Sequence, residues 1–194
     1  MLKIIKNIFL LSLFFLFVDC DQSSQSKNNS NSMVSVKVFS SLTCPHCADF
    51  HGKIFEKLEK EYIKSGKVKF EHRSFPLDLA ALNAEKIFQC NINSQVNPKF
   101  LTEIYKQQNK WTVGSDINII NNSIKAIGKE FNLTEVEMNK CLTDKELEKK
   151  ILNERIEATK NYKISSTPTI YINEKKYKGA RDYKSFKKAI DKIL

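Results

Sequence analysis

Cys44 and Cys47 stand two residues apart at the point where one hydrophobic period gives way to another, and nothing else in the chain constrains its fold so tightly. Upstream, Val34, Val36 and Val38 alternate with Ser35, Lys37 and Phe39, the period of a half-buried strand, and Ser40-Ser41-Leu42-Thr43 ends the run as a turn. Downstream, Phe50, Ile54, Phe55 and Leu58, with Tyr62 one turn on, recur at helical spacing while Lys53, Glu56, Lys57, Glu59 and Lys60 face water. Ser65-Gly66 stops that helix. Val68, Phe70 and His72 then alternate with Lys67, Lys69, Glu71 and Arg73 as a second strand, with His72 on the apolar side as a hydrogen-bonded core residue. Strand, helix and strand within about forty residues predict a parallel crossover unit.

A C-x-x-C pair at a helix N-terminus has a definite chemistry. Unpaired N–H groups and the positive end of the helix dipole favour a thiolate at Cys44, and the imidazole of His46 adds to the same end. Pro45 suits the first helical turn, where its missing N–H costs no bond. A zinc site drawn from Cys44, His46, Cys47 and His51 would take every ligand from one turn and a half of helix, a poor source of tetrahedral geometry, so no metal is expected. A purely structural bond is disfavoured as well, because so short a loop is strained and its disulfide labile.

The rest of the chain divides around this unit. With 194 residues, 41% of them hydrophobic, there is material for one buried core and no resemblance to a disordered chain. Lys3 and Lys6 before the apolar run from Ile8 to Val18 read as a secretory leader over 1–20; eleven residues fall short of the about 20 that cross a bilayer. Cys20 is a possible lipid-attachment cysteine, although Asp19 is not the small residue expected before it. Residues 21–32, DQSSQSKNNSNS, are a polar spacer. Export would place the remaining cysteines where disulfides persist.

Folded structure is expected as 33–76, then a helical insertion over 77–162, then 163–194. Within the insertion, helices are read near Leu77 to Phe88, Pro98 to Asn109, Ile117 to Phe131, Thr134 to Leu142 and Asp144 to Tyr162, with capping boxes at Thr134/Glu137 and Thr143/Glu146. After it, Thr169 to Ile172 and Lys175 to Tyr177 flank Asn173-Glu174 as a hairpin, and Tyr183, Phe186, Ala189, Ile190 and Ile193 give a closing amphipathic helix. Trp111 and Phe100 belong either to the core or to an apolar groove around the active site.

Taken together, CPHC after a short strand, a helical insertion, the Ser74-Phe75-Pro76-Leu77-Asp78 exit from the second strand, and Thr167-Pro168 before a hairpin and terminal helix resemble the DsbA-like branch of the thioredoxin fold. The resemblance covers Val34 to Leu194. It implies an α/β fold, a thioredoxin fold with an inserted helical subdomain, in which Cys44 is the exposed nucleophile and Cys47 closes the disulfide. It further implies that Thr167-Pro168 is a cis-proline loop pairing with an extended substrate peptide. Many relatives carry Glu where His51 stands here, as proton acceptor for the buried thiol, which makes His51 a candidate proton relay.

The activity so implied is that of a periplasmic protein-disulfide oxidoreductase, a monomer that oxidises unfolded secreted proteins. It would be recycled by a membrane quinone-linked oxidase and need no cofactor beyond the Cys44–Cys47 pair. An isomerase or reductase on the same fold is the alternative, since Thr before the proline also occurs in isomerising relatives; a tethered binding protein with an inert cysteine pair is another. Once Cys44 pairs with Cys47, Cys90 and Cys141 remain, as a structural disulfide or as two buried thiols. The net charge of +10, with lysines crowding Lys175 to Lys192, reads as solvated surface rather than a nucleic-acid site.

Overall fold

The computed structural model describes residues 33–90 and 97–194; the leader, the spacer and Cys20 lie outside the described residues. A four-stranded sheet, in the order β2-β1-β3-β4, is built from β1 (Val34–Ser40), β2 (Val68–Ser74), β3 (Thr169–Ile172) and β4 (Lys175–Lys176). β1 runs parallel to β2 from Val34↔Val68 to Ser40↔Ser74, and antiparallel to β3 from Val36↔Ile172 to Phe39↔Thr169. The parallel pair is joined by the crossover anticipated from the period change. Asn173 and Glu174 both adopt positive φ, the conformation a two-residue hairpin turn requires, and Asn173 Oδ1 accepts from Ser35 N at 2.8 Å.

The crossover helix is continuous over 45–63 but not uniform. It runs as α1 (Pro45–Phe50), a π turn (His51–Phe55), α2 (Glu56–Leu58) and a second π turn (Glu59–Ile63), with Glu56 N donating to His51 O and Lys64 N to Glu59 O. No sequence pattern announced these turns. On one face of the sheet Val34, Val36 and Val38 pack with Phe50, Ile54, Phe55 and Leu58, and with Phe186 and Ile190 of α9 (Tyr183–Asp191). On the other, Phe39 packs with Phe75, Ala158 and Ile164.

A second core belongs to the inserted helices α3 (Leu79–Phe88), α4 (Pro98–Lys106), α5 (Gln108–Trp111), α6 (Ile117–Glu130) and α7 (Glu135–Thr143), with α8 (Lys145–Tyr162) leading back to the sheet. Trp111 and Phe100 are both buried in it, which settles them as core residues. Leu42, Cys44 and Cys47 join the same cluster, so the cysteine pair lies where sheet and helical block meet.

Three local expectations change. The helix expected over Pro98 to Asn109 breaks at Gln107 (φ −96°, ψ 9°), leaving α5 as a separate single turn. The first helical turn after Leu77 is capped by Asp78, whose Oδ1 accepts from Ala81 N, so α3 begins at Leu79. At Thr134 the capping box forms, but α8 is capped by Asp144, not Thr143: Asp144 Oδ1 accepts from Glu146 N at 2.9 Å and Leu147 N at 3.0 Å. A carboxylate one residue nearer the helix reaches both amides, and the Thr143 hydroxyl instead donates back to carbonyls of α7.

Candidate active site

Cys44 is the N-cap of α1, in extended conformation (φ −78°, ψ 118°), with Pro45 at the first helical position as expected. Its carbonyl accepts from Cys47 N at 3.0 Å and Ala48 N at 3.2 Å, and its own N–H donates to Ser41 O at 3.1 Å. The approach turn is also tied sideways. Thr43 Oγ1 donates to Asp78 Oδ2 at 2.8 Å, and Ser41 Oγ accepts from Leu77 N at 3.3 Å, so the exit from β2 braces the entry to α1.

Both cysteines are free thiols here. Their environments pull them apart. Cys44 is lowered from an ordinary 9.0 to about 5, chiefly by the hydrogen bond the Cys47 thiol gives it; burial opposes the shift, and Thr167 and the N–H groups of Cys47 and His46 add to it. Cys47 is pushed up because it supplies that hydrogen bond, is buried, and faces the negative charge at Cys44. One sulfur is built to be an anion and the other to hold its proton.

At 7% exposure, Cys44 is less open than the exposed nucleophile that the resemblance implied, because it packs into the core of the helical block and against Thr167 O. The Thr167-Pro168 bond is cis. The Thr167 carbonyl lies 3.5 Å from Sγ and accepts from the thiol form, while the buried Thr167 hydroxyl has no hydrogen-bond partner among the described residues. His46 projects from the first turn, exposed.

His51 turns inward. Its ring stacks on Phe55 (centroids 4.1 Å apart), and Nε2 lies 2.8 Å from Thr102 Oγ1. Because the Thr102 hydroxyl donates to Pro98 O at 2.9 Å, Nε2 must carry the proton in this pair. Burial, with a lesser push from His72, lowers the imidazole to about 3, so it stays neutral through the physiological range. A ring that basic only near pH 3 is a weak proton acceptor for Cys47.

Several participants were not legible in the sequence. Glu85 of α3 is completely buried, and its carboxylate accepts from Ser74 Oγ at 2.9 Å and pairs with His72 Nε2 at 2.7 Å, which makes His72 the hydrogen-bonded core residue its strand position predicted. The buried Tyr105 hydroxyl, raised chiefly by burial, has no hydrogen-bond partner among the described residues. The side chain of Gln108 reaches the catalytic turn itself. Cys90 and Cys141 are bonded to each other, linking the end of α3 to α7.

Comparison with known proteins agrees with this geometry. A thioredoxin family model matches residues 28–192. A provisionally named protein-disulfide oxidoreductase of Rickettsia bellii is 29% identical over 79% of this chain and 58% of its own, and disulfide bond formation protein D of Bacillus subtilis is 27% identical over 83% and 72%. The chain thus spans less than two thirds of the Rickettsia relative's length. Among solved structures, alpha-DsbA1 of Wolbachia pipientis superposes with a TM-score of 0.74 at 28% identity, covering 83% of this chain and 85% of that one. The match to the thioredoxin model over most of the chain establishes that the chain belongs to the thioredoxin family, and the superposition on alpha-DsbA1 shows that its fold is of the DsbA-like kind.

Proposed function

We propose that this protein is an exported dithiol oxidase that passes the Cys44–Cys47 disulfide to unfolded secreted proteins. The observation that carries the reading is the asymmetry of the pair, a sulfur anion favoured at Cys44 beside a protonated Cys47. A substrate thiolate attacks Cys44 Sγ, the Cys44–Cys47 bond breaks, and Cys47 leaves with the electron pair and takes a proton. A second substrate thiolate then attacks the substrate sulfur of the mixed disulfide and expels Cys44 as its thiolate. The client gains one disulfide and the pair gains two electrons, which a membrane quinone-linked oxidase removes. The sulfurs carry the electrons, so no separate cofactor enters. Thr167 and Pro168 present backbone to the client, and the protein acts as a monomer in the periplasm.

Ultraviolet thiolate absorbance of the reduced protein tests the driving force: the midpoint is expected near 5, and one near 9 removes the basis for an oxidase. The same shift governs stability. Because the folded value lies below the ordinary one, its contribution to the reduced fold is complete above about pH 9, declines by up to about 1.4 kcal/mol per pH unit, and is gone below about pH 5. With solvent screening at the open side of the sulfur, this leaves ~1–3 kcal/mol at pH 7. Urea titrations of reduced and oxidised protein are therefore expected to converge by that amount between pH 7 and 5.

Direction is decided by equilibrium with glutathione. A potential near the roughly −120 mV of strong oxidases supports the reading, whereas about −180 mV points to an isomerase and about −270 mV to a reductase.

A further inference from the structure

We propose that Gln108 is a positioning residue for the redox reaction, its side-chain amide holding the carbonyls of Leu42 and Cys44 and so setting how strongly Cys44 favours its thiolate. The inference deepens the disulfide-exchange reading and rests on Cys44 being the reacting sulfur.

The contact is specific. Gln108 Nε2 lies 2.7 Å from Leu42 O and 3.1 Å from Cys44 O, both bonds buried, and the residue itself is buried. One amide nitrogen has two hydrogens, and each is directed to a carbonyl of the catalytic turn. Satisfying backbone groups does not account for this at Cys44, whose carbonyl already accepts from Cys47 N and Ala48 N. The third donor is surplus to the hydrogen-bond needs of that oxygen and concentrates positive hydrogens next to the reacting residue.

The local fold delivers the side chain there. α4 ends at Lys106, the break at Gln107 reorients the chain, and the single turn of α5 is anchored by Trp111, which is buried and donates its indole N–H to Ile104 O at 2.8 Å. Thr112 Oγ1 donates to Gln108 O at 2.7 Å, fixing the backbone at the same residue. Three residues apart on one turn, Gln108 and Trp111 lie on the same face, so burying the indole carries the amide inward toward the cysteines.

The electrostatic consequence has a definite sign. Carbonyl oxygens are the negative ends of dipoles, and those of Leu42 and Cys44 flank the residue that must carry a negative sulfur. Donors on both oxygens offset that field, and they also hold the backbone of the turn that carries Cys44. Remove the donors and the thiolate is less favoured. Replace them by a carboxylate of the same shape and the thiolate faces a like charge at close range in a partly dry site, where one charge at several ångströms outweighs a lost hydrogen bond.

The experiment compares Gln108→Leu and Gln108→Glu with the unmodified full chain, reading the Cys44 midpoint by thiolate absorbance and the equilibrium constant with glutathione. Leu is expected to raise the midpoint by about one pH unit and Glu by about two, with the equilibrium constant at pH 7 falling about 10-fold and 50-fold. Folded variants whose midpoints stay within about 0.3 unit of the parent overturn the proposal and leave Gln108 a structural residue, which would move the melting temperature alone.

If the variants do not fold, the unmodified protein decides. The two side-chain amide proton resonances of Gln108 are expected to shift with the Cys44 titration, and resonances indifferent to it overturn the proposal. Failure of the oxidase reading looks different: the unmodified protein would itself titrate near free cysteine, whatever Gln108 does.

Discussion

In the Cys47→Ala protein, mixed disulfides between Cys44 and cysteine-containing clients accumulate, and turnover of a reduced, unfolded substrate falls by more than roughly 10³-fold, ~4 kcal/mol of barrier. The geometry sets the expectation. Without Cys47 the pair cannot close, but the Cys44 thiolate still attacks a disulfide of an oxidised client, expelling one client sulfur as a thiolate, and this chain then has no second thiol to displace the client sulfur that stays bound. Cys44 is almost fully covered, with Thr167 O 3.5 Å from its sulfur, so outside thiols are expected to reach the adduct slowly. Cys44→Ser abolishes turnover too but traps nothing, because its oxygen neither ionises nor forms a disulfide. Non-reducing gels of an extract from cells expressing each variant distinguish the two. If the cysteine pair were inert and the protein only a binding module, Cys47→Ala would give no reducible adducts, and that result would sink the exchange mechanism.

Local signals in the chain were sufficient for the framework of this site. The change of period around Cys44, the Pro45 start, the Thr134 cap and the Asn173-Glu174 turn each depend on residues within a few positions of one another, and each forms in the fold. What the sequence hid depends on distant contacts. Gln108 sits in a polar stretch, Lys106 to Lys110, that reads as a solvated helix face; only the break at Gln107 and the burial of Trp111 turn it inward. Glu85 is a charged residue within an ordinary amphipathic pattern, and its complete burial follows from partners on β2, Ser74 and His72, eleven and thirteen residues earlier. The π turn beginning at His51 likewise has no compositional mark, yet that ring packs against Phe55 and Tyr105 and bonds Thr102 across the helical block. The low exposure of Cys44 has the same origin, since it packs into the helical block's core and meets Thr167 O, 123 positions downstream.

Replacing Cys90 and Cys141 together by Ala is expected to cost about 4 kcal/mol of stability, the loop-closure entropy of a 51-residue separation in the unfolded chain. For a folded unit of this size that corresponds to a fall in melting temperature of about 8–16 °C. The bond adds to the core packing that already brings Ala84 and Ile87 of α3 together with Met138 of α7. It joins the end of α3 to α7, and the neighbouring Lys86 makes a second tie, its ammonium donating to Leu142 O at 2.6 Å and to Glu148 Oε2 at 3.0 Å. Because Lys86 holds the same two segments together in the folded state, the double variant should still fold, and the loss should appear mainly as a less constrained unfolded ensemble. Urea denaturation of oxidised protein and double variant, with Cys44 and Cys47 blocked by alkylation in both, isolates the effect. A difference below about 1 kcal/mol would mean that the unfolded chain keeps α3 and α7 close without the bond, and the entropic account of this disulfide would then be wrong.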